Sequence, residues 1–481
     1  MSERFDVVVV GSGAGGGVVA GELAERGRNV LLLETGPHLT AADFTRWEAK
    51  ASHDLWWPIR FAMIDGGAGG AVGLIGGRCV GGSTTINTKV ALRAVDHDYA
   101  KWHEASGLVG ASGAPFGASD LDPYYERVEQ RLGVRERTDW KKSVYTVEPG
   151  FRALGATLEP VRSYTDANCM SCGSCLQGCP TNAGKSTLNT YIHDAWAAGK
   201  LELRPDAHVE RVVVDDGEAQ GVEYVGPDGA LVRVDAGAVV VAAGTLNTPQ
   251  LLMRSGMPGT ASSGLIGRNL GFHPARLMFG LFDEPQDAHM VYPITAHAMD
   301  HQADDDGGFV VEATTIMDPI GFAVNLSDED GPLWGEPLVE ALGLFRRWNG
   351  MLVMVNDDNN GSVSLDENGR EAFAADFTEA ERGRIDGAFA FTRDVFEAAG
   401  ASRVLWTGLV TTHVQGTCRM GSDPKRSVVD ADGRSWDVER LYIGDGSLVP
   451  RTLSVNPSLT IMALASRLAD HLHEDPHGYL S

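Results

Sequence analysis

An α/β architecture, in which a parallel-sheet domain is interrupted by a second, discontinuously inserted domain, is the fold class this sequence predicts. Three observations predict it. Val7 to Val10 is an unbroken β-branched run, as expected of a strand buried on both faces, and it leads straight into glycines. A helix-patterned stretch from Gly15 to Arg26 separates it from a second apolar run, Asn29 to Glu34. A third run of this kind closes near Gly244, far along the chain, so the pieces of one sheet are dispersed.

The elements follow in order. Residues 5–36 read as strand, tight turn, helix and strand. Met63 to Gly82 is dense in glycine and reads as loop, and residues 120–132 form a capped helix. Residues 205–243 alternate as a β-meander with a turn at Gly226-Pro227-Asp228-Gly229. Residues 275–365 carry no clean period. Thr378 to Gly400 and residues 458–473 are amphipathic helices.

Composition bounds the rest. At 481 residues the chain exceeds what one core usually serves, so two interleaved domains are expected. A formal charge of −25 would repel nucleic acid and anionic membrane, and its ordinary meaning is a solvated surface. No window is long and apolar enough to span a bilayer, and the first strand begins without a basic leader, so a cytoplasmic location is expected.

Gly11-x-Gly13-x-x-Gly16 follows a strand and opens a helix, and Glu34 ends the next strand eighteen residues later. Gly11 permits the turn, Gly13 lets backbone reach a pyrophosphate, and Gly16 allows close helix–strand packing. The helix N-terminus offers N–H groups to phosphates. Glu34 suits a ribose diol. The pattern is that of a Rossmann-like dinucleotide site, and a packing turn alone would not need the acid. FAD and NAD are not separated by it.

Four further segments resemble the glucose–methanol–choline (GMC) oxidoreductases. Gly76 to Asn87 (GGRCVGGSTTIN) resembles the first signature of that family. Gly244 to Gly256 resembles the second, departing where Pro258 replaces a usual glycine. Gly267-Arg268-Asn269-Leu270 with His273 is another landmark. His413 to Gly421, Gly444-Asp445-Gly446-Ser447 and Asn456-Pro457 complete the set. The resemblance implies FAD. It places residues 1–100, 160–274 and 405–481 in a Rossmann-like FAD-binding domain, and 101–159 and 275–404 in a discontinuous α+β substrate or cap domain whose antiparallel sheet roofs the flavin. It sets Val209 near the adenine, Asp445 and Gly446 near the ribityl–pyrophosphate, and Gly82, Ser83, Asn87 and Pro457 along the flavin. For Asp445 an ordinary Asx turn is the other reading.

The implied activity is oxidation of an alcohol by hydride transfer, with His413 as base and Asn456 binding the substrate oxygen. Singly, each residue has a duller reading, a satisfied histidine and a turn before proline. Cys418 reads as a packed thiol, and His273 as pocket wall or structural hydrogen bond. The substrate is not legible; Trp334, Phe345, Trp348 and Met354 are candidates for pocket or core alike. A non-redox lyase similar to FAD-containing hydroxynitrile lyases, and a flavin electron carrier, are the competing classes.

Cys169-x-x-Cys172-x-x-Cys175-x-x-x-Cys179-Pro180 has the spacing of bacterial ferredoxins. One [4Fe–4S] or [3Fe–4S] cluster is the expectation, with zinc and purely structural cysteines as alternatives. A cluster would drain electrons to a protein or quinone acceptor and make a dehydrogenase. Without one, oxygen could serve and make an oxidase.

Overall fold

The computed structural model describes residues 3–67, 70–257, 264–314 and 319–480. Pro258 lies outside them. The dispersed apolar runs meet in one seven-stranded sheet, ordered 201–204, 30–33, 3–10, 231–241, 218–225 and 208–215. Strand Glu3–Val10 lies parallel to both Val30–Leu33 and Leu231–Val241. The long strand Leu231–Val241 has two roles along its far edge. Its first half pairs antiparallel with Glu218–Val225, while Val239 to Val241 pair parallel with Leu441–Ile443. One strand therefore joins the meander to the parallel sheet and draws in the C-terminal segment.

Helices Gly16–Glu25 and Ser458–Glu474 pack with this sheet, and their buried faces share its core. Val7, Val8, Val9, Val239 and Val240 are wholly excluded from solvent, which explains the unbroken β-branched runs.

Fourteen strands among the described residues form a second, mostly antiparallel sheet. Its central ladder joins Ala275–Leu281, Trp348–Val355, Phe309–Thr314 and Ile294–Ala298. Helices Glu379–Ala398 and Lys142–Ala153 cover one face, packing Phe389, Val395, Phe396, Val147 and Phe151 against Val311, Met351 and Val353. The alternate residues of the same strands face the first domain, where the site lies. Thr378 caps its helix as a capping box: its Oγ accepts the Glu381 N–H, and its own N–H donates to the Glu381 carboxylate.

The stretch read as loop, Met63 to Gly82, contains strand. Arg60–Ile64 and Ala71–Leu74 form an antiparallel hairpin in the second sheet. Short segments interrupted by glycine lacked a period of their own; pairing with Glu371–Ala375 and Val410–Thr411 supplies the ladder bonds that hold them extended.

Candidate active site

A cavity of about 1150 Å³ separates the two sheets. Its wall includes Gly11, Gly13, Glu34, Gly82, Ser83, Asn87, Val209, Asp445, Gly446, Asn456, Pro457 and His413. Gly16 stands behind it: a Cβ there would lie 1.9 Å from the Gly11 carbonyl oxygen, so glycine keeps helix and strand in contact. Gly11 holds φ +95°, and a Cβ on Gly13 would meet nothing within 4 Å, leaving its backbone open to a ligand.

Glu34 is buried, and burial raises its pKa against the pull of its hydrogen bonds. One oxygen accepts from Ser12 N–H and Oγ–H, at 3.1 and 2.6 Å; the other accepts the Gly36 N–H and keeps a lone pair. Ser12 Oγ also accepts the Gly81 N–H. The first glycine turn, the acid and the second glycine segment are thus tied through one hydroxyl. At Gly82, φ is +50° and a Cβ would meet Gly13 Cα at 2.8 Å. Buried Lys89 braces the same turn by donating to the Thr84 and Thr85 carbonyls. Asn87 donates to the Tyr164 hydroxyl. The cavity's length, its bare glycine backbone at a helix start and its buried acid fit an extended dinucleotide such as FAD.

Asp445 lines the cavity, and its carboxylate is engaged within the protein. It accepts from Gly244 N–H and Thr248 Oγ–H at one oxygen, and from Ser447 N–H at the other. It fastens the C-terminal turn to helix Asn247–Arg254.

At the far end stand two imidazoles. His413 follows strand Val410–Thr411, and His273 lies just before Ala275–Leu281. Their Nδ1 atoms are 2.9 Å apart, and His273 Nε2 bonds to the Leu453 carbonyl. A carbonyl only accepts, so His273 carries its proton on Nε2. Burial holds its pKa down to about 4, so the ring is neutral and Nδ1 is a bare acceptor. His413 must therefore donate from Nδ1. Burial and the neighbouring His273 keep it well below the usual imidazole range, so its Nε2 is an unprotonated lone pair. The Asn456 Oδ1 is buried without a protein partner, and its Nδ2 lies 4.0 Å from Met354 Sδ.

Residues 5–275 match the N-terminal part of the GMC oxidoreductase family and residues 358–465 its C-terminal part. The chain belongs to that family. An uncharacterized GMC-type oxidoreductase of Mycobacterium tuberculosis is 32% identical over 97% of this chain and 75% of its own. The long-chain-alcohol oxidase FAO4B of Arabidopsis thaliana is 28% identical, covering 98% and 68%. Pyridoxine 4-oxidase from Mesorbium loti has the same fold, with a TM-score of 0.77 at 21% identity over 98% and 100% of the two chains. This GMC oxidoreductase is an FAD-dependent enzyme acting on alcohols.

The expected metal cluster finds no support in the structure. Cys169, Cys172, Cys175 and Cys179 are free, and among the described residues no group of three or more His, Cys, Asp or Glu side chains is placed to hold a metal ion. The thiols share a neighbourhood: the other three all raise Cys175, which burial pushes up to about 12. Cys179 Sγ accepts the Gly184 N–H at 3.2 Å and lies 3.5 Å from Thr181 Oγ, and Cys175 is buried in a tight turn.

Of the four pocket candidates, Met354 alone lines the cavity. Trp334 is 81% exposed, Trp348 is core with its indole N–H on the Ala341 carbonyl, and Phe345 packs beside it. Cys418 is fully buried. Ser12, Lys89 and Glu312 were missed. Only Glu312 carried a visible signal, an acid inside the apolar strand Phe309-Val310-Val311-Glu312-Ala313.

Proposed function

We propose that this enzyme oxidises an alcohol to a carbonyl, with His413 Nε2 taking the hydroxyl proton and the Asn456 amide binding the same oxygen. FAD, when bound, supplies the hydride acceptor. The observation that carries the reading is the chain Leu453 carbonyl, His273, His413, which fixes the base tautomer with its lone pair free. As the proton arrives, His413 Nδ1–H strengthens its bond to His273, stabilising the imidazolium within a buried site. The Asn456 Nδ2–H, whose protein contact is Met354 Sδ at 4.0 Å, donates to the oxygen as alkoxide character grows. The wall around them is largely apolar, with Leu277, Leu352, Met354 and Ile294, and excludes water from the reacting carbon.

The names of the Arabidopsis and Mesorbium relatives favour oxygen as electron acceptor over a relay through the cysteines. One hydrogen peroxide per carbonyl is then expected, whereas stoichiometric iron and acid-labile sulfide in protein purified without air would restore the relay.

An anaerobic panel of alcohols tests the main reading. An active alcohol bleaches the flavin, and His413→Ala slows bleaching by about 10²–10⁴-fold with flavin still bound. A flavin that stays oxidised while substrate is cleaved would identify a lyase, and unchanged bleaching in the variant would remove His413 from the chemistry.

A further inference from the structure

Glu312 is wholly buried in the middle of strand Phe309–Thr314, on the face opposite the core residues Val311 and Ala313, and its side chain lines the cavity. Neither carboxyl oxygen has a well-formed hydrogen bond within the protein, and the Asn456 amide is the side chain that bears on it. Its cross-strand neighbour is His297, whose buried Nδ1 is also without a partner, so the two do not satisfy one another. Burial raises the Glu312 carboxyl to about 8, against the lowering effect of the Asn456 amide beside it. A buried acid whose oxygens lack well-formed hydrogen bonds is costly to keep. It faces the space where, on the function proposed above, the substrate lies.

We propose that Glu312 is a specificity-determining residue that binds a second hydroxyl on the substrate, so that the enzyme takes 1,2-diols, with one hydroxyl at His413 and Asn456 and its neighbour at Glu312. A protonated carboxyl presents one donor and one acceptor, and a hydroxyl presents the same pair reversed. An ammonium group would demand an ionised Glu312 in an apolar wall with no further donor, where desolvation opposes the pair. The spacing follows from Asn456. Glu312, Asn456 and His413 line the same cavity and the Asn456 amide bears on the Glu312 carboxyl, so the two polar points of the substrate lie close together, as in a 1,2-diol.

The test uses the FAD-loaded enzyme with 1-hexanol, 1,2-hexanediol and 2-amino-1-hexanol, measuring anaerobic flavin reduction, and compares it with E312Q and E312L. The parent should favour the diol over the mono-alcohol by about 100-fold or more, since without the diol a buried polar group is left unpaired. E312L should abolish that preference by slowing the diol far more than 1-hexanol, and E312Q should keep part of it. Equal loss for both alcohols in E312L, or preference for the amino alcohol, overturns the proposal. A second readout needs no turnover. The infrared carbonyl band of a protonated acid, present in the parent and missing from both variants, should shift with the diol and not with 1-hexanol. If no alcohol bleaches the flavin yet the band shifts with the diol, the alcohol-oxidation reading has failed and the diol site stands. A band that the diol leaves unmoved sinks the site alone.

Discussion

His273 shapes His413 without touching the reacting atoms. Its Nε2–H is committed to Leu453, so its Nδ1 can only receive, and this leaves His413 a single tautomer. His273→Ala should therefore slow flavin reduction by about 10²-fold through lost orientation, less than removal of His413 at its extreme. The signature of a positioning role is that Kd for the alcohol stays level while the rate falls and its pH profile moves. Because both rings are held below the ordinary imidazole range, the unprotonated base persists as pH falls, and the acid limb of the parent should lie below pH 6.5. A limb centred at 6.5 or above would contradict the buried pair. His413 and Asn456 were readable as residues because each sits in a family motif. The bond between two histidines 140 positions apart was not, since only folding brings them together.

Among the elements, the turn from Glu3–Val10 into Gly16–Glu25 separates two glycine roles that look alike in sequence. Gly13→Ala meets no protein atom, so the FAD-free protein should melt where the parent does and yet retain little FAD, because a methyl group stands where phosphate approaches. Gly16→Ala drives a Cβ onto the Gly11 carbonyl, and about 1–3 kcal/mol of destabilisation should appear in FAD-free protein as well. Thermal melts and flavin content of both variants distinguish the two. The strand–turn–helix–strand unit was legible because its period and glycines are local. The hairpin Arg60–Ile64 and Ala71–Leu74 was not, because its partners Glu371–Ala375 and Val410–Thr411 lie over 300 residues away. The four cysteines make the converse case. Their spacing suggested a cage, and among the described residues no three of them are placed to hold a metal ion.

For the molecule as a whole, buried groups of opposite kinds set the dependence of stability on pH. His273 and His297 are lowered from 6.5 to about 4 by burial, so below pH 6.5 the unfolded chain binds more protons; the stability they contribute is complete above 6.5 and is lost towards pH 4. Glu312 is raised from 4.5 to about 8 and Asp357 from 3.8 to about 7, again by burial; the folded chain then holds the extra protons, and stability falls as pH climbs to 8. From pH 6.5 to about 7 the acids act, and towards pH 8 Lys89, lowered by burial to about 8, begins to act in the opposite sense. Denaturant titrations of FAD-free protein should therefore show stability declining from pH 6.5 to 7, less steeply in E312L. A parent curve that rises across this window would mean Glu312 is ionised and paired. By itself the sequence determined the α/β class, the glycine–acid dinucleotide signature and the family, because these rest on local periodicity and contiguous motifs. The tertiary structure alone decided which histidine orients which, which groups the Cys179 thiol bonds to, and that a lone acid in an apolar strand faces the cavity. Those outcomes depend on contacts between distant segments, and on burial, which no short window of sequence contains.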